Sequence, residues 1–307
     1  MNSWNNLNLS CELGIGTWAW GDKSVWGYGK DYSAHDLQLA FTTSIATGIN
    51  FFDTAEVYGF GKSEKFIGQF IGEGKESVFL ATKFMPLPWR LRRYDLVAAL
   101  EKSLSRLDVP SVGLYQIHQP LHFRSLSTLM DGLAEAVERG LTRFVGVSNY
   151  SADQMKRAYD RLGSHGIPLL SNQVEYSLLH RNPETNGVLK ACEDLGVKLI
   201  AYSPLAMGVL TGKYSSNHTL NGYRGIRFNR YLSGIGQLTG TLREIGQAHD
   251  GKSPSQVALN WCICKGTFPI PGAKNAAQAN ENAGGQHWNL TVDEIAAIER
   301  AAEAVRS

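Results

Sequence analysis

The 307-residue sequence has no long apolar run and little net charge. No stretch reaches the roughly 18 apolar residues that a membrane-spanning helix needs, and the first residues lack the basic and then apolar layout of a signal peptide. A formal net charge of +2 offers no electrostatic basis for binding nucleic acid or an anionic membrane. These absences predict a cytoplasmic protein whose partners are small molecules.

Cysteine is also scarce, with four residues at positions 11, 192, 262 and 264. Their spacing fits neither a disulfide framework nor a zinc site, which agrees with a reducing compartment. His118 and His122 are four apart, but Pro120 between them argues against a shared helical face, and no carboxylate or cysteine completes a ligand set. The sequence therefore predicts no bound metal.

Strand-like and helix-like stretches alternate from end to end. The strand-like runs are residues 13–18, 49–53, 77–83, 112–118, 142–147, 169–174, 197–202 and 268–270. The helical patterns are residues 33–47, 63–71, 94–107, 125–139, 151–162, 184–195, 238–249, 255–264, a short one from 275, and 292–305. Continuous apolar strands with helical connections are typical of a parallel sheet covered on both faces. Eight such units predict a single (β/α)8 TIM barrel domain over residues 1–307, with a C-terminal helix.

The connection after the seventh strand, residues 203–236, is much longer than a usual loop and is rich in Gly, Ser and Asn. Loops of this length in compact domains are usually functional. We expect this long loop to form a belt over a cofactor or a substrate.

Four polar residues follow strand-like runs, where a barrel places its active site. Asp53 ends the second run and Tyr58 lies in the glycine-punctuated loop after it, while Lys83 and His118 end the third and fourth runs. In isolation, Asp53 and Tyr58 are better explained as a helix cap and a packed loop tyrosine than as site residues. The repetition at successive strand ends instead predicts that the four side chains meet.

These four residue types support proton transfer to a carbonyl oxygen. A tyrosine with a pKa of about 10 is a poor proton donor near neutral pH, and the Lys83 ammonium is expected to lower that pKa. Asp53 keeps Lys83 charged, and His118 orients the carbonyl or joins the proton transfer. Because no protein nucleophile is evident to attack the carbon, a nicotinamide hydride is the expected partner.

With these motifs, the sequence resembles the aldo-keto reductase family from Gly14 to Asn282. The run Asp-Thr-Ala-x-x-Tyr-Gly at 53–59, Ala-Thr-Lys at 81–83 and Gln-Ile-His at 116–118 match the family's catalytic tetrad. The resemblance implies Tyr58 as general acid/base, assisted by Asp53, Lys83 and His118, and NADP(H) as cofactor.

The resemblance also implies a cofactor bed. Ser148, Asn149 and Gln173 would hold the carboxamide, and Tyr202 would stack on the nicotinamide. The complete implied set is Thr17, Trp18, Ser148, Asn149, Gln173, Tyr202, Ser203, Pro204, Leu205, Gly208, Leu210, Lys213, Arg224, Gly272, Lys274, Gln278, Glu281 and Asn282.

Cofactor preference depends on the adenosine end of this bed. Gln278 stands where many members carry an arginine for the 2′-phosphate. Lys274 together with the Gln278 amide is expected to bind that dianion, which predicts NADPH over NADH.

The substrate is predicted only as a class. Trp20, Trp26, Phe84 and Trp89 lie in or near loops at the expected barrel mouth and predict an aromatic-walled pocket for an aryl aldehyde, although loop packing explains them as well. The run at 271–275 is similar to pyridoxal-reductase-like members, so pyridoxal is a candidate substrate. The oligomeric state is left open.

Two other functions were weighed. A cofactor-binding regulatory subunit resembling potassium-channel β-subunits is disfavoured because those subunits carry Asn at the place of His118. A barrel isomerase or aldolase with Lys83 as a Schiff base is disfavoured because Asp53 keeps that lysine charged, and a charged lysine is not nucleophilic.

Overall fold

The computed structural model describes residues 4, 7, 9–72, 78–90, 92–120, 125–215, 217 and 219–306. The strands are β1 Ile15–Gly16, β2 Phe51–Asp53, β3 Phe79–Phe84, β4 Val112–Ile117, β5 Thr142–Ser148, β6 Leu169–Glu175, β7 Lys198–Tyr202 and β8 Phe268–Ile270. The helices are α1 Ala34–Ala46, α2 Lys62–Ile71, α3 Arg93–Leu107, α4 Leu126–Glu138, α5 Ala152–Gly163, α6 Asn182–Thr185, α7 Val188–Leu195, α8 Gly222–Phe228, α9 Ile235–Ala248, α10 Pro254–Cys264, α11 Ala276–Ala283 and α12 Val292–Arg306.

The eight strands form one parallel sheet in chain order, and the sheet closes on itself. The Gly14 amide donates to the carbonyl of Pro269 at 3.0 Å, and the Gly16 amide donates to that of Pro271 at 2.9 Å, which joins β8 to β1. The predicted (β/α)8 TIM barrel is therefore confirmed, as is the C-terminal helix. All carboxyl ends lie at one rim, where barrel enzymes carry their active sites.

The barrel interior is divided into an apolar and a polar part. Because successive residues of a strand face opposite sides, every second side chain points inward. The apolar part, together with residues from the N-terminal segment, consists of Trp4, Leu7, Cys11, Phe51, Phe79, Ala81, Leu114, Leu170, Ile200, Phe268 and Ile270. The inward residues nearer the carboxyl ends are polar, and this layer forms the candidate site.

Helix boundaries follow local capping chemistry. Ser33 caps α1 through a capping box with Asp36, as the sequence predicts, because each side chain satisfies the other residue's backbone amide. One predicted helix, over residues 184–195, is wrong as a single element. Gly187 has a left-handed backbone (φ 81°) that separates α6 from α7.

The long loop after β7 is not structureless. It contains a 3₁₀ turn at Ala206–Thr211, helix α8 and a second 3₁₀ turn at Asn229–Tyr231. The buried side chains of Leu220 and Phe228 anchor it to the main core. In the described part of the chain, no helix has the length and apolar character required to cross a membrane.

Candidate active site

The Lys83 ammonium is the centre of the polar layer. Its Nζ donates to Asp53 Oδ1, to the Thr54 carbonyl at 2.8 Å and to Tyr58 Oη at 3.4 Å. Lys83 and Asp53 are both almost completely buried. Because an ammonium group can only donate, the Tyr58 oxygen accepts this bond, and its own proton points away from Lys83.

This arrangement keeps Lys83 charged. Burial disfavours the ammonium and lowers its pKa, but the Asp53 carboxylate and Tyr58 outweigh burial, so the net pKa of Lys83 is raised. A lysine held in this way is a fixed positive charge beside Tyr58, and it is not available as a nucleophile.

The phenol of Tyr58 behaves differently from the expectation. Removal of water around the group raises its pKa, and the charge of Asp53 acts in the same direction, whereas Lys83 lowers it. The net pKa of Tyr58 is raised, so the predicted lowering is wrong for the protein alone. Lys83 by itself does lower this pKa, as predicted. Tyr58 therefore holds its proton at neutral pH.

His118 faces Tyr58 across the rim. The ring centroids are 5.6 Å apart and the planes are nearly perpendicular, at 80°. Burial and the positive charge of Lys83 lower the pKa of His118 to about 3, so the imidazole is neutral at physiological pH. Its Nδ1 is buried and has no hydrogen-bond partner among the described residues. Two roles were expected for His118, orienting the carbonyl oxygen or joining the proton transfer. A neutral imidazole suits the first of these.

Two glutamines complete the polar layer. Asp53 Oδ2 accepts hydrogen bonds from Gln116 Nε2 at 3.1 Å and from Gln173 Nε2 at 2.9 Å. From the sequence, Gln173 is expected to hold a carboxamide, whereas Gln116 has no expected role. Gln116 lies two residues before His118 in an otherwise apolar strand, so strand alternation was the signal that places it on the inner face.

Polar residues at the ends of β5, β6 and β7 adjoin this layer. The Ser148 hydroxyl donates to the Gln173 carbonyl at 2.7 Å, and the Asn149 amide donates to the His118 carbonyl at 3.2 Å. Tyr202 Oη donates to Asn149 Oδ1 at 3.1 Å. The structure therefore brings these predicted cofactor residues together beside His118.

A second cluster, of cations, lies between β8 and the loop after β7. Burial lowers the pKa of Lys274, and the nearby charges of Arg224 and Lys213 lower it further, whereas Asp31 opposes them. Arg224 Nη2 donates to Tyr214 Oη at 2.9 Å, but its Nε is buried without a partner among the described residues. Cations clustered around an unpaired donor fit an anionic group.

The segment after β8 is held by the side chains of Gln278 and Asn282, both predicted cofactor residues. The Lys274 amide donates to Gln278 Oε1 at 2.9 Å, and Asn282 Nδ2 donates to the Gly272 carbonyl at 3.3 Å. The Gln278 carbonyl oxygen is therefore already used inside the loop, which leaves its NH₂ group as the available donor.

The side chains of three other predicted cofactor residues make hydrogen bonds or packing contacts within the fold. Thr17 Oγ1 is fully buried and donates to the Asp53 carbonyl at 2.9 Å, Leu210 lies in the main core, and Glu281 accepts a hydrogen bond from Ser253. These contacts hold the three side chains in place within the fold.

The predicted cofactor residues that directly follow β7 lie in a tight turn. Ser203 and Gly208 have left-handed backbones, with φ angles of 52° and 93°. Pro204 and Leu205 lie between them, so the polypeptide reverses sharply at the rim.

Helix α8 reaches over the rim from the β7 side. Arg227 Nη2 donates to both carboxylate oxygens of Glu175, with 2.6 Å to Oε1, at the carboxyl end of β6. Arg227 Nη1 donates to Tyr223 Oη at 2.8 Å, and the Tyr223 ring lies 6.4 Å from that of Trp18 in the loop after β1. The helix therefore has contacts on two sides of the barrel mouth.

The predicted aromatic pocket needs correction. Trp20 is fully buried and donates its indole N–H to the Ala273 carbonyl at 2.8 Å. Phe84 is fully buried in the outer core, because it follows the inward-facing Lys83 and therefore points outward. Trp89 is 72% exposed.

The aromatic groups at the rim are mostly different ones. Trp26 is half-buried, with its ring 5.6 Å from that of Trp18. Trp18, Tyr58, Tyr202 and Tyr223 all have contacts at the rim described above. Trp18, Tyr58 and Tyr202 were expected at the site in other roles and Trp26 as part of the pocket, whereas Tyr223 was not expected, because the sequence does not show which side of a loop faces the barrel mouth.

Within the ranges that the structure describes, no group of three or more His, Cys, Asp or Glu residues could hold a metal ion. His122, the second histidine of the pair weighed from the sequence, lies outside the described residues.

Comparisons with known proteins agree with this architecture. Residues 12–303 match the profile of the Aldo/keto reductase family. Over 304 residues the chain is 43% identical to a chloroplastic pyridoxal reductase of Arabidopsis thaliana, covering 95% of this chain and 83% of that protein.

Solved structures give the same result. A glycerol dehydrogenase from Gluconobacter oxydans superposes with a TM-score of 0.83 at 26% identity, covering 96% of this chain and 93% of that one. An aldo/keto reductase from Klebsiella pneumoniae, in complex with NADP and acetate, superposes with a TM-score of 0.75 at 26% identity, covering 94% and 90%. The chain belongs to the aldo/keto reductase family.

Proposed function

We propose that this protein reduces an aldehyde or ketone to an alcohol with NADPH. The observation that carries the proposal is Lys83 Nζ, which joins the buried Asp53 carboxylate to the Tyr58 hydroxyl beside a neutral His118. Bound NADPH supplies the hydride for the carbonyl carbon.

The protein's own residues supply the proton. His118 orients the carbonyl oxygen toward Tyr58, whose O–H points away from Lys83. Because the pKa of Tyr58 is raised in the protein, it keeps the proton until negative charge develops on the carbonyl oxygen, and then gives it up. Lys83 stabilises the resulting phenolate, which regains a proton from solvent. In alcohol oxidation the phenolate is the base.

The two clusters fit the two ends of the dinucleotide. Ser148, Asn149, Gln173 and Tyr202 would hold the nicotinamide end, since their polar groups and the Tyr202 ring adjoin His118. This would place the reacting carbon close to Tyr58, as hydride transfer requires.

The cationic cluster would hold the phosphates. Arg224 Nε is buried and has no partner among the described residues, and Lys213 and Lys274 add positive charge nearby. We propose that Lys274 and the Gln278 NH₂ group bind the 2′-phosphate, so that NADPH is preferred over NADH. The Klebsiella relatives were solved with NADP and with NADPH.

Helix α8 would cover the bound cofactor. The Arg227–Glu175 contact and the approach of Tyr223 to Trp18 hold the helix across the mouth. Closing the site in this way excludes water from the carbonyl and strengthens the charge interactions of Lys83.

Pyridoxal is the substrate that we propose to test first. The 43% identical plant relative is named as a pyridoxal reductase, and Trp18, Tyr58 and Tyr223 offer aromatic surfaces at the rim for a flat ring.

A panel of pyridoxal, an aryl aldehyde, an aliphatic aldehyde and a ketone, assayed by loss of NADPH absorbance, tests this function. We expect turnover of at least one aldehyde, with pyridoxal among the best. Tight NADPH binding without turnover of any carbonyl would contradict catalysis and favour a cofactor-binding regulatory subunit.

A further inference from the structure

The Asp53 carboxylate is held on both of its oxygens. Lys83 binds Oδ1, while Gln116 Nε2 and Gln173 Nε2 lie 3.1 Å and 2.9 Å from Oδ2. Exposure of Gln116 is 0% and that of Gln173 is 2%, so water cannot replace these donors.

The orientation of the two amides is set by the carboxylate. A carboxylate can only accept, so each glutamine must present its NH₂ group to Asp53. Gln173 Nε2 also donates to Gln116 Oε1 at 3.3 Å, which fixes the carbonyl end of Gln116 as well. The two side chains thus form a linked pair, which we call the amide clamp.

The barrel makes room for this clamp. Interiors of such barrels are usually filled with branched apolar residues, and a buried amide is costly unless it is hydrogen-bonded. Gly146, the β5 residue paired with Gln116, has no side chain. A Cβ there would lie 2.5 Å from Ser171 Oγ and 3.2 Å from Gln116 Cγ, so a larger residue would clash with Ser171 and crowd the Gln116 side chain.

We propose that Gln116 and Gln173 are positioning residues for carbonyl reduction: they hold Asp53 so that its other oxygen faces Lys83. The inference rests on the proposed function. Without the clamp, Asp53 Oδ2 loses both donors, so the carboxylate can rotate and shift Lys83, whose Nζ lies 3.4 Å from Tyr58 Oη. The clamp therefore acts on Tyr58, the proton donor, through Asp53 and Lys83.

Gln173 is also one of the proposed nicotinamide residues, and its backbone carbonyl accepts a hydrogen bond from the Ser148 hydroxyl. A Gln173 variant would therefore disturb cofactor binding as well. Gln116 contacts Asp53 and Gln173 but has no role in the proposed cofactor bed, so it gives the cleaner test.

Gln116→Leu removes the amide and keeps a shape suited to a barrel interior. We expect kcat for aldehyde reduction to fall about 10-fold through misplacement of Lys83, while KM for NADPH changes less than about twofold. In alcohol oxidation the pH midpoint should rise by about 0.5–1 unit, since Asp53 loses a donor and its charge opposes the Tyr58 phenolate more strongly.

Two further variants separate positioning from general disturbance. Ser171→Ala removes a buried hydroxyl that neighbours Gly146 and has no partner among the described residues, so kcat and the pH midpoint should stay unchanged. Gln116→Glu donates to Asp53 only while its carboxyl is protonated. Aldehyde reduction by Gln116→Glu should then approach the wild-type rate at low pH and fall as this carboxyl ionises, at a lower pH than the loss of the Tyr58 proton lowers it in wild type.

Wild-type kcat and an unchanged midpoint in Gln116→Leu, with Tyr58→Phe inactive, would overturn the clamp and leave the proposed function intact. If Gln116→Leu does not fold, a wild-type pH profile in Gln116→Glu overturns the clamp. Absence of carbonyl turnover in the wild type refutes the proposed function, and the clamp with it.

Discussion

Replacing Lys83 with methionine removes the positive charge nearest to the Tyr58 phenol and keeps an unbranched side chain. Lys83 Nζ lies 3.4 Å from Tyr58 Oη, and a unit charge at that distance stabilises a phenolate by about 5 kcal/mol at an effective dielectric constant of about 20. At about 1.4 kcal/mol per unit, this corresponds to roughly 3.5 units in the pKa of Tyr58.

Two effects change this figure in opposite directions. Asp53 remains as an uncompensated charge and raises the pKa further, while water that enters beside the shorter methionine screens both groups. We therefore expect Lys83→Met to move the pKa of Tyr58 upward by at least about 2 units.

The assay is alcohol oxidation, because the Tyr58 phenolate is the base in that direction. The pH at half-maximal kcat should move upward in Lys83→Met by the same amount. Lys198→Met is a matched control at the opposite end of the barrel, where Lys198 donates to the Gly266 carbonyl, and it should keep the wild-type midpoint. Normal activity with an unchanged profile in Lys83→Met would show that Lys83 has only a structural role.

Three other predictions concern the cofactor and His118. Lys274→Ala should weaken NADPH binding by about 1.5–3 kcal/mol and hardly affect NADH, because the lost contact is to the 2′-phosphate; equal losses, or a wild type that binds both equally, would contradict it. Glu175→Gln removes the charged partner of Arg227 in α8 and should speed NADPH release about 5- to 10-fold in stopped-flow fluorescence, whereas an unchanged rate would exclude α8 as a cover. His118→Asn should lower kcat by about 10–100-fold without moving the pH midpoint of oxidation, since the pKa of His118 is about 3 and the ring is already neutral. A shifted midpoint would show that His118, and not Tyr58, gives the pH dependence of oxidation.

Three members of the tetrad were predictable because they lie at strand ends, and Tyr58 lies in the loop that follows one of them. Asp53 is the last residue of β2, Lys83 lies one residue before the end of β3, and His118 directly follows β4. Parallel strands in a closed barrel bring their carboxyl ends to one rim, so apolar periodicity alone was enough to place these groups together.

Other features depended on contacts that periodicity does not encode. The raised pKa of Tyr58 results mainly from its burial, which depends on how the folded chain packs around it. Trp20 was placed at the mouth because it lies near a loop, but it turns inward to Ala273. Phe84 and Gln116 were within reach of sequence reasoning, since strand alternation from Lys83 and from His118 gives their sides of the sheet.

Tyr58→Phe, which removes a single hydroxyl group, tests the proposed proton donor most directly. NADPH affinity, followed by fluorescence titration, should stay close to wild type, because the phenol contacts Lys83 and not the cofactor bed. Turnover of a reactive aldehyde should fall by about 10²–10⁴, the range for loss of a general acid. Retention of most of the wild-type kcat would contradict Tyr58 as the proton donor.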